Sequence, residues 1–480
     1  MTKLKLFIEN FLVYGLGGVI DKLIPFVMLP IITRLMPDAA YFGISDLASA
    51  LVAFGGTLAI FGMNDAMYRM FFEKDDRKYK TAVCSTALLF VFIITSILIL
   101  SIVIFQNPLS QLVFSDRQYS FIVQISAASI FVSAIKNIGS APTRMQNKKK
   151  LFLVISASTT IISYICAILL LVKGCYLIAL PIAAATANLL TGGAFILLNH
   201  KWFRIKSFDL SLLKDMLKIA IPLVPNMLIY WVFNSCDKLM IAKMLSVSEV
   251  GIYSAGSKIG HASQLVYTAF AGGWQFFVFS TMRERNQIET NSKVFEYLGI
   301  ISFGATAIMC VMAKPIFLYL LTPEYYGGHI VVPYLFLAPL MQMLFQVAGS
   351  QFLIEKKTWP NLIVLFIGLL TNLLLNTILI PIFGIEGAAL ATLAGYIVTV
   401  IITVCILMRI KKMCFSQKFL YTVILFALYL ICWRMLFAES LLCSSIAAIL
   451  FLIICTRMYL TDIRYIISLI SSGQQNKKTS

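Results

Sequence analysis

The chain has 480 residues, of which 60% are hydrophobic and 12% are charged, and its mean hydropathy is +0.89. Soluble proteins contain roughly 45–50% apolar and 25% charged residues, so the composition excludes an ordinary soluble domain and indicates a polytopic membrane protein. The formal net charge is +18, but most Lys and Arg residues lie in alternate gaps between apolar segments. That is the positive-inside pattern of a membrane protein. We therefore expect no nucleic-acid partner and both termini in the cytoplasm.

About fourteen apolar segments are long enough to cross a bilayer, since one crossing requires about 20 apolar residues. In chain order the predicted spans are 7–33, 41–64, 81–106, 119–140, 150–172, 176–198, 213–242, 250–275, 291–313, 329–353, 359–382, 387–410, 417–435 and 441–460. We predict helices throughout, because an open sheet cannot satisfy its backbone hydrogen bonds in lipid. The expected fold class is an all-α integral membrane protein.

Three similarities between the two halves of the sequence predict an internal repeat, as in many transporters. The similar pairs are "ITRLMPDAAYFGI" (32–44) with "IAKMLSVSEVGIY" (241–253), "RMQNKKKLF" (144–152) with "LIEKKTWPN" (353–361), and "PIAAATANLLTG" (181–192) with "IEGAALATLAGY" (385–396). All three keep the same order at nearly one offset. The predicted organisation is an N-lobe over 1–205, a C-lobe over 206–412, two further helices over 413–462 and a cytoplasmic tail over 463–480.

Charged residues occur inside the first helix of each half. The first span contains Asp21 and Lys22, and the seventh contains Asp237 and Lys238. An ionisable group at bilayer depth costs roughly 2.5–3.5 kcal/mol on insertion scales, so such groups usually face protein or a water-filled cavity. The two pairs indicate either a site or structural ion pairs.

Prolines interrupt the same two spans. Pro25 and Pro30 lie in the first span, and Pro222 and Pro225 lie in the seventh. Proline removes a backbone hydrogen bond, and interrupted helices at equivalent positions of two repeats point to a binding site. The alternative is that membrane helices simply tolerate proline.

Polar side chains form stripes along single helix faces in several spans. A Ser-rich stripe in the fourth span includes Lys136, and its simplest interpretation is helix packing, with the lysine reaching the cytoplasmic face. The stripes of the seventh and eighth spans carry charges and favour a cavity. The candidate cavity residues are Asp21, Lys22, Asn226, Tyr230, Asn234, Asp237, Lys238, Ser257, Lys258, His261 and Gln264.

The sequence contains no pattern typical of an enzyme or a metal site. His200, His261 and His329 are far apart and lack Cys or carboxylate ligands at metal-binding spacing. The ten cysteines are scattered singly, and there is no nucleotide-binding P-loop. We expect no catalytic residues, no metal and no cofactor.

Three stretches resemble a known family: "LPIITRLMPDAAYFGISDLASAL", "IPLVPNMLIYWVFNSCDKLMIAKMLSVSEVGIYSAG" and "NTILIPIFGIEGAALAT". They are similar to the polysaccharide transporter family, the Wzx-type flippases of O-antigen and capsule repeat units. Its superfamily, the multidrug/oligosaccharidyl-lipid/polysaccharide exporters, also contains lipid II flippases and MATE-type exporters. The resemblance extends over roughly residues 10–410. It implies two six-helix lobes forming a V around a central cavity, with two further helices outside it, in the bacterial inner membrane.

The resemblance implies a secondary transporter rather than an enzyme. The family moves undecaprenyl-pyrophosphate carrying a short sugar repeat from the cytoplasmic to the periplasmic leaflet. Lys22 and Lys258 are the candidates for contacting the pyrophosphate, because an ammonium is a compact partner for phosphate charge. Three roles are open for Asp21 and Asp237: pairing with these lysines, contacting the sugar, or taking up a coupling ion. A proton, a sodium ion or the membrane potential could each drive the cycle.

The implied partners are the lipid-linked oligosaccharide, membrane lipids, and a polysaccharide polymerase with its chain-length machinery. A MATE-like exporter of small amphipathic molecules shares the fold and is the nearest alternative. An O-antigen polymerase or a membrane glycosyltransferase is a further alternative from the enzyme class. Such enzymes are expected to have large external loops or an acidic motif at the membrane surface, and the sequence shows neither.

Overall fold

The computed structural model describes residues 24–357, 359–462 and 464. Every regular element in this part of the chain is helical, which confirms the predicted fold class. Twelve helical segments of the described chain have the length and apolar composition needed to cross a membrane. They are Ala39–Ile60, Arg77–Ile104, Arg117–Met145, Lys150–Val172, Ala179–Leu198, Leu210–Met244, Gln287–Leu320, Pro323–Ile354, Trp359–Phe383, Ile385–Arg409, Gln417–Phe437 and Leu441–Met458.

We number the α-helices from the first described one, α1 (Ile24–Leu35). The others are α2 (Ala39–Ile60), α3 (Met63–Phe71), α4 (Arg77–Ile104), α5 (Gln106–Phe114), α6 (Ser120–Met145), α7 (Lys149–Val172), α8 (Ala179–Leu198), α9 (Leu210–Ala220), α10 (Val224–Met244), α11 (Val247–Gly260), α12 (Gln264–Ser280), α13 (Gln287–Leu320), α14 (Val332–Ile354), α15 (Trp359–Phe383), α16 (Ile385–Arg409), α17 (Gln417–Cys432) and α18 (Leu441–Met458).

Two of the fourteen predicted spans have no counterpart among these twelve segments of the described chain. Most of the span predicted at 7–33 lies outside the described residues, which include only its end in α1. The span predicted at 250–275 is divided into α11, with 14 residues, and α12, with 17, by a 3-10 turn at His261–Ser263. Gly260 ends α11, and glycine is a weak helix former.

The seventh predicted span is divided as well. A 3-10 turn at Ile221–Leu223 separates α9 from α10, because Pro222 has no backbone N–H to continue the helical ladder. Asp237 and Lys238 lie in the second half of α10, well past this break. The proline interruption therefore lies before α10 and not in the segment that carries the charges.

Helix packing connects the two halves of the chain along α2. In the first half, α6 packs against α2, α4 and α8; in the second half, α16 packs against α14 and α15. Helices α17 and α18 pack against α13. The halves meet where α2 contacts α10 and α11; α9 also contacts α3 and α4, and α10 contacts α5.

The Ser-rich stripe of α6 packs differently from the prediction. Ser126 and Ser129 donate hydrogen bonds to carbonyls of their own helix. Lys136 instead bonds across helices: its ammonium donates to Thr159 Oγ1 of α7 at 2.9 Å and to Asn188 Oδ1 of α8 at 3.0 Å. The lysine, which was expected to reach the membrane surface, therefore connects three helices inside the bundle.

Candidate functional site

A buried carboxylate from the first half of the chain meets two lysines from the second half. Asp46 lies in α2 and is 8% exposed. Lys238 Nζ of α10 is 2.6 Å from Asp46 Oδ2, and Lys258 Nζ of α11 is 3.9 Å from Oδ1. Ser254 Oγ of α11 also donates a hydrogen bond to Asp46 Oδ2 at 2.6 Å. We call these four residues the Asp46 cluster.

Helix geometry explains how the adjacent charges of α10 separate. Neighbouring residues of an α-helix point about 100° apart, so Asp237 and Lys238 face different partners. Lys238 points to α2 and its Asp46, whereas Asp237 points to α15 and α16. Ser254 and Lys258 are four residues apart and share a face of α11. The structure thus does not pair the two adjacent charges with each other.

Asp237 is buried among neutral hydrogen-bond donors. Asn376 Nδ2 of α15 donates to its Oδ1 at 2.7 Å, and Tyr253 OH of α11 donates to its Oδ2 at 2.8 Å. Thr392 of α16 donates to Oδ2 as well, and Asn372 Nδ2 of α15 lies 3.4 Å from Oδ1. Among the described residues, no Lys, Arg or His nitrogen lies within 4.0 Å of this carboxylate. A buried carboxylate without a cationic side chain is a position suited to a proton or a small cation.

A cavity of about 600 Å³ opens beside the Asp46 cluster, a size typical of ligand pockets. The Lys258 side chain is 35% exposed and lies against Phe42 of α2, with Nζ 4.2 Å from the ring centroid. Ser257 Oγ and His261 Nδ1 are 2.9 Å apart on the same wall. The cavity is lined by Pro25, Phe26, Asn234, Lys238, Ser257, Lys258, His261, Ala262, Gln264, Leu265 and Gln342.

A second, much smaller cavity adjoins Asp237. Its volume is about 20 Å³, enough for one water molecule or one ion. Asp237, Tyr253 and Thr392 line it, and Asn234 and Lys238 line both cavities. The large cavity and the buried carboxylate are therefore neighbours within one site.

The structure brings most of the sequence candidates together, but not all. Those that line the large cavity are Asn234, Lys238, Ser257, Lys258, His261 and Gln264, and Asp237 lines the small one. Asn226 and Tyr230 line neither cavity. Asp21 and Lys22 lie outside the described residues, so their predicted roles stay predictions.

The sequence analysis missed several side chains of the site, among them Asp46, Tyr253, Asn372, Asn376 and Thr392. Asp46 was passed over because it is a single charge in a helix of small residues, although a lone carboxylate in a membrane helix is itself a signal. Asn372 and Asn376 are four residues apart in a mostly apolar helix, a spacing that places both on one face. Thr392 gives no such signal, because threonine is common in membrane helices.

Helices α2 and α11 cross at two glycines next to the Asp46 cluster. A Cβ atom built on Gly43 would lie 2.1 Å from the carbonyl oxygen of Val247, and one built on Gly251 would lie 2.0 Å from that of Ala39. Asp46 and Ser254 each follow the glycine of their helix by three residues. The backbones of the two halves thus touch one turn from the charged cluster.

Comparison with known proteins gives a family and a fold. The family described as "Polysaccharide biosynthesis protein" matches residues 7–283. No curated protein sequence matches the chain. Among solved structures, the lipid II flippase MurJ in an inward closed conformation has a TM-score of 0.69 at 16% identity, covering 94% of this chain and 99% of that one.

Two MATE transporters share the fold as well. An inward-facing MATE family transporter of the MOP superfamily has a TM-score of 0.64 at 15% identity, with 82% of this chain and 98% of that chain covered. A mutant of a Vibrio cholerae MATE transporter has a TM-score of 0.55 at 14% identity, with 83% and 94% covered. At these identities the likeness establishes the fold.

Proposed function

Because the chain belongs to the polysaccharide biosynthesis protein family, we propose that it is a flippase for undecaprenyl-pyrophosphate-linked oligosaccharide repeat units. It moves them from the cytoplasmic to the periplasmic leaflet during synthesis of O-antigen, capsule or exopolysaccharide. The observation that carries the proposal is the cavity of about 600 Å³ between the halves, into which Lys238 and Lys258 project. A charged headgroup cannot cross lipid unaided, whereas the polyprenyl tail remains in the bilayer.

Lys258 is the first contact for the pyrophosphate in this proposal. Its ammonium is 3.9 Å from the nearest Asp46 oxygen, whereas that of Lys238 is 2.6 Å away. Lys258 is also the more exposed of the two, at 35% against 19%. It therefore retains more capacity for an external anion. Lys22 is proposed as a second phosphate contact on the sequence argument alone.

The sugar repeat would contact the neutral walls of the cavity. Asn234, Gln264 and Gln342 offer amide donors and acceptors, and Ser257 and His261 extend the same surface. A side-chain set of this kind binds hydroxyl groups without selecting a single sugar. We propose that the same wall accommodates the short oligosaccharide during the crossing.

Transport would proceed by alternating access of the two repeats. The proposed moving bodies are the N-lobe, 1–205, and the C-lobe, 206–412, which meet along α2, α10 and α11. Helices α17 and α18 pack on α13 and would move with the C-lobe. Both termini would lie in the cytoplasm of a bacterial cell, with the protein in the inner membrane.

Asp237 is proposed to take up the coupling cation. It is buried beside a cavity the size of one water molecule, among side chains whose oxygens can turn towards an ion. A proton or a sodium ion would each neutralise it. Since α10 carries both Asp237 and Lys238, ion binding and headgroup binding act on the same helix.

The test is deletion of the gene in its host, followed by assay of surface polysaccharide and of the leaflet that holds the accumulated lipid-linked repeat unit. Accumulation in the cytoplasmic leaflet, with polysaccharide lost, is the expected result. Unchanged polysaccharide together with altered sensitivity to amphipathic drugs would overturn it in favour of an exporter. A cavity lined by two lysines disfavours cationic drugs.

Complementation then tests the cavity itself. Lys258→Ala is expected to restore no polysaccharide at normal protein level, whereas Lys258→Arg restores part of it because the charge is kept. Lys314→Ala is the matched control, since Lys314 pairs with Glu439 away from the cavity and its loss should leave polysaccharide unchanged. Full complementation by Lys258→Ala would remove this lysine from the site.

A further inference from the structure

Asp46 occupies the position that an anionic headgroup would take beside the lysines of the cavity. Its carboxylate accepts from Lys238 and Ser254, both at 2.6 Å, and faces Lys258 at 3.9 Å. We infer that Asp46 is an internal competitor of the headgroup phosphate, and that its displacement by the phosphate releases the contact between the two halves. This inference rests on the proposed function and concerns the regulation of the same site.

The charges of the cluster favour such an exchange. Two lysines face one carboxylate, so the Asp46 cluster carries one positive charge in excess. A pyrophosphate brings more negative charge and more acceptor oxygens than a carboxylate, so it can form charge-assisted hydrogen bonds to both lysines at once. A bound pyrophosphate would therefore satisfy both ammonium groups, whereas Asp46 reaches only that of Lys238 at hydrogen-bonding distance.

Displacement of Asp46 would break the only ion pairs between α2 and the second half among the described residues. Asp46 lies on α2, and its partners lie on α10 and α11. The two glycines of the crossing lie three residues before Asp46 on α2 and three residues before Ser254 on α11. Loss of the ion pair beside this crossing leaves it held by backbone packing and by neutral contacts such as Trp231 Nε1 to Ala50 O, 3.1 Å.

The consequence is that binding of a headgroup in the cavity is coupled to separation of α2 from α10 and α11. In the empty protein Asp46 holds α2 against α10 and α11, at the end of the bundle predicted to face the periplasm. With a headgroup bound, this end is free to separate and to release the substrate outward. After release Asp46 recovers the lysines and the crossing closes again. The arrangement opposes an open, empty transporter.

The first experiment measures binding of inorganic pyrophosphate and of farnesyl pyrophosphate to the purified full chain by titration calorimetry. Asp46→Asn removes the competing charge, so both probes should bind about tenfold more tightly or better, the equivalent of one charge-assisted contact. Asp46→Glu keeps the charge and should bind as the native chain does. Glu386→Gln is the matched control, a buried carboxylate paired with Arg434 away from the cavity.

The second experiment follows the crossing with spin labels at Pro37→Cys and Leu245→Cys, introduced after the reactive native cysteines are replaced. These exposed positions precede α2 and α11. Farnesyl pyrophosphate should lengthen the label distance in the otherwise native chain. With Asp46→Asn added, the distance should already be long without the probe.

The outcomes separate the two proposals. Equal affinity in the native chain and in Asp46→Asn, with an unchanged label distance, overturns the role of Asp46 and leaves the flippase proposal standing. Absence of pyrophosphate binding in both overturns the phosphate site and this inference with it. If Asp46→Asn fails to fold, Ser254→Ala takes its place: it removes one donor to Asp46, so a smaller gain in affinity is expected, and no gain counts against the inference.

Discussion

Gly43 of α2 and Gly251 of α11 lie against each other where the two halves of the chain meet. Both glycines lie in the first pair of similar segments, and when they are aligned with each other Ala39 corresponds to Val247 and Asp46 to Ser254. The contacts obey this symmetry. Gly43 faces the carbonyl oxygen of Val247, and Gly251 faces that of Ala39. A local two-fold axis therefore passes through the crossing.

Alanine at the crossing should impair transport. Gly43→Ala places a methyl group where the Val247 carbonyl oxygen is 2.1 Å away, so the two helices must move apart, at a cost of about 1–3 kcal/mol for such overpacking. We expect surface polysaccharide to fall severalfold in a complemented deletion strain at normal protein level. The spin-label distance between positions 37 and 245 should increase.

Gly56→Ala is the control for that substitution. Gly56 lies on the same helix, and a Cβ there meets no atom within 4 Å. Alanine is the better helix former, so this variant should transport normally and be as stable or slightly more stable. Equal activity of the Gly43 and Gly56 variants would show that the crossing has no part in the cycle.

Asp237→Asn should abolish the response to the coupling cation. The native chain is expected to show a higher melting temperature in sodium than in choline, because ligand binding to the folded state stabilises it. The amide is neutral and nearly isosteric, so the variant should lose this response. Glu386→Gln, another buried carboxylate, should keep it; a cation response retained in Asp237→Asn would remove Asp237 from the coupling site.

The sequence was sufficient for the helices and for one wall of the site. Apolar length predicted the membrane spans, and intramembrane charge singled out Lys238 and Lys258, which do line the cavity. The periodicity of the sequence does not predict which side chain each charged residue pairs with. Asp237 and Lys238 are adjacent in sequence yet bond to partners on different sides of α10, because their directions differ by about 100°.

Asp46 shows why the remaining site required the structure. It is the only acidic residue of α2, so no stripe or repeat marked it. Asp46 reaches its partners because α2 crosses α11, a close contact that small residues permit. The spacing of residues along a single helix does not predict this contact. Long-range packing between the repeats, rather than any local pattern, places it beside Lys238.

Acid should weaken one contact at the ends of α14 and α16. Glu355 Oε1 lies 3.1 Å from Lys412 Nζ, and Oε2 lies 3.5 Å from Lys357 Nζ. The hydrogen bond from Lys412 lowers the pKa of Glu355 below its ordinary value. A carboxyl with a lowered folded-state pKa stabilises the protein above the pKa of the unfolded chain, about 4.3 for Glu, and this contribution is lost as the pH falls through the folded pKa.

Glu355→Gln should therefore reduce stability at neutral pH by less than about 1 kcal/mol, as expected for an ion pair near the surface. Melting curves of the native chain and the variant should differ at pH 7 and converge as the pH falls below about 4. A difference of the same size at both pH values would mean that packing, and not the charge, accounts for the effect of the substitution.

Glu386 and Arg434 should show strong coupling in a double-mutant cycle. Arg434 Nη2 donates to Glu386 Oε2 at 2.7 Å, and Tyr334 OH donates to Oε1 at 3.0 Å, which ties the turn after α17 to the start of α16. Glu386 is 6% exposed, whereas the Arg434 side chain is 44% exposed. Removal of each partner therefore has a different cost.

Arg434→Met leaves a buried carboxylate without its cation and should cost about 3 kcal/mol. Glu386→Gln leaves an arginine that reaches water and keeps a hydrogen-bonding side chain, so it should cost only about 1 kcal/mol. The double variant should resemble Glu386→Gln alone, because no buried charge remains. Unfolding in mixed micelles with increasing denaturing detergent gives the three free energies; additive losses would show that the two side chains act independently.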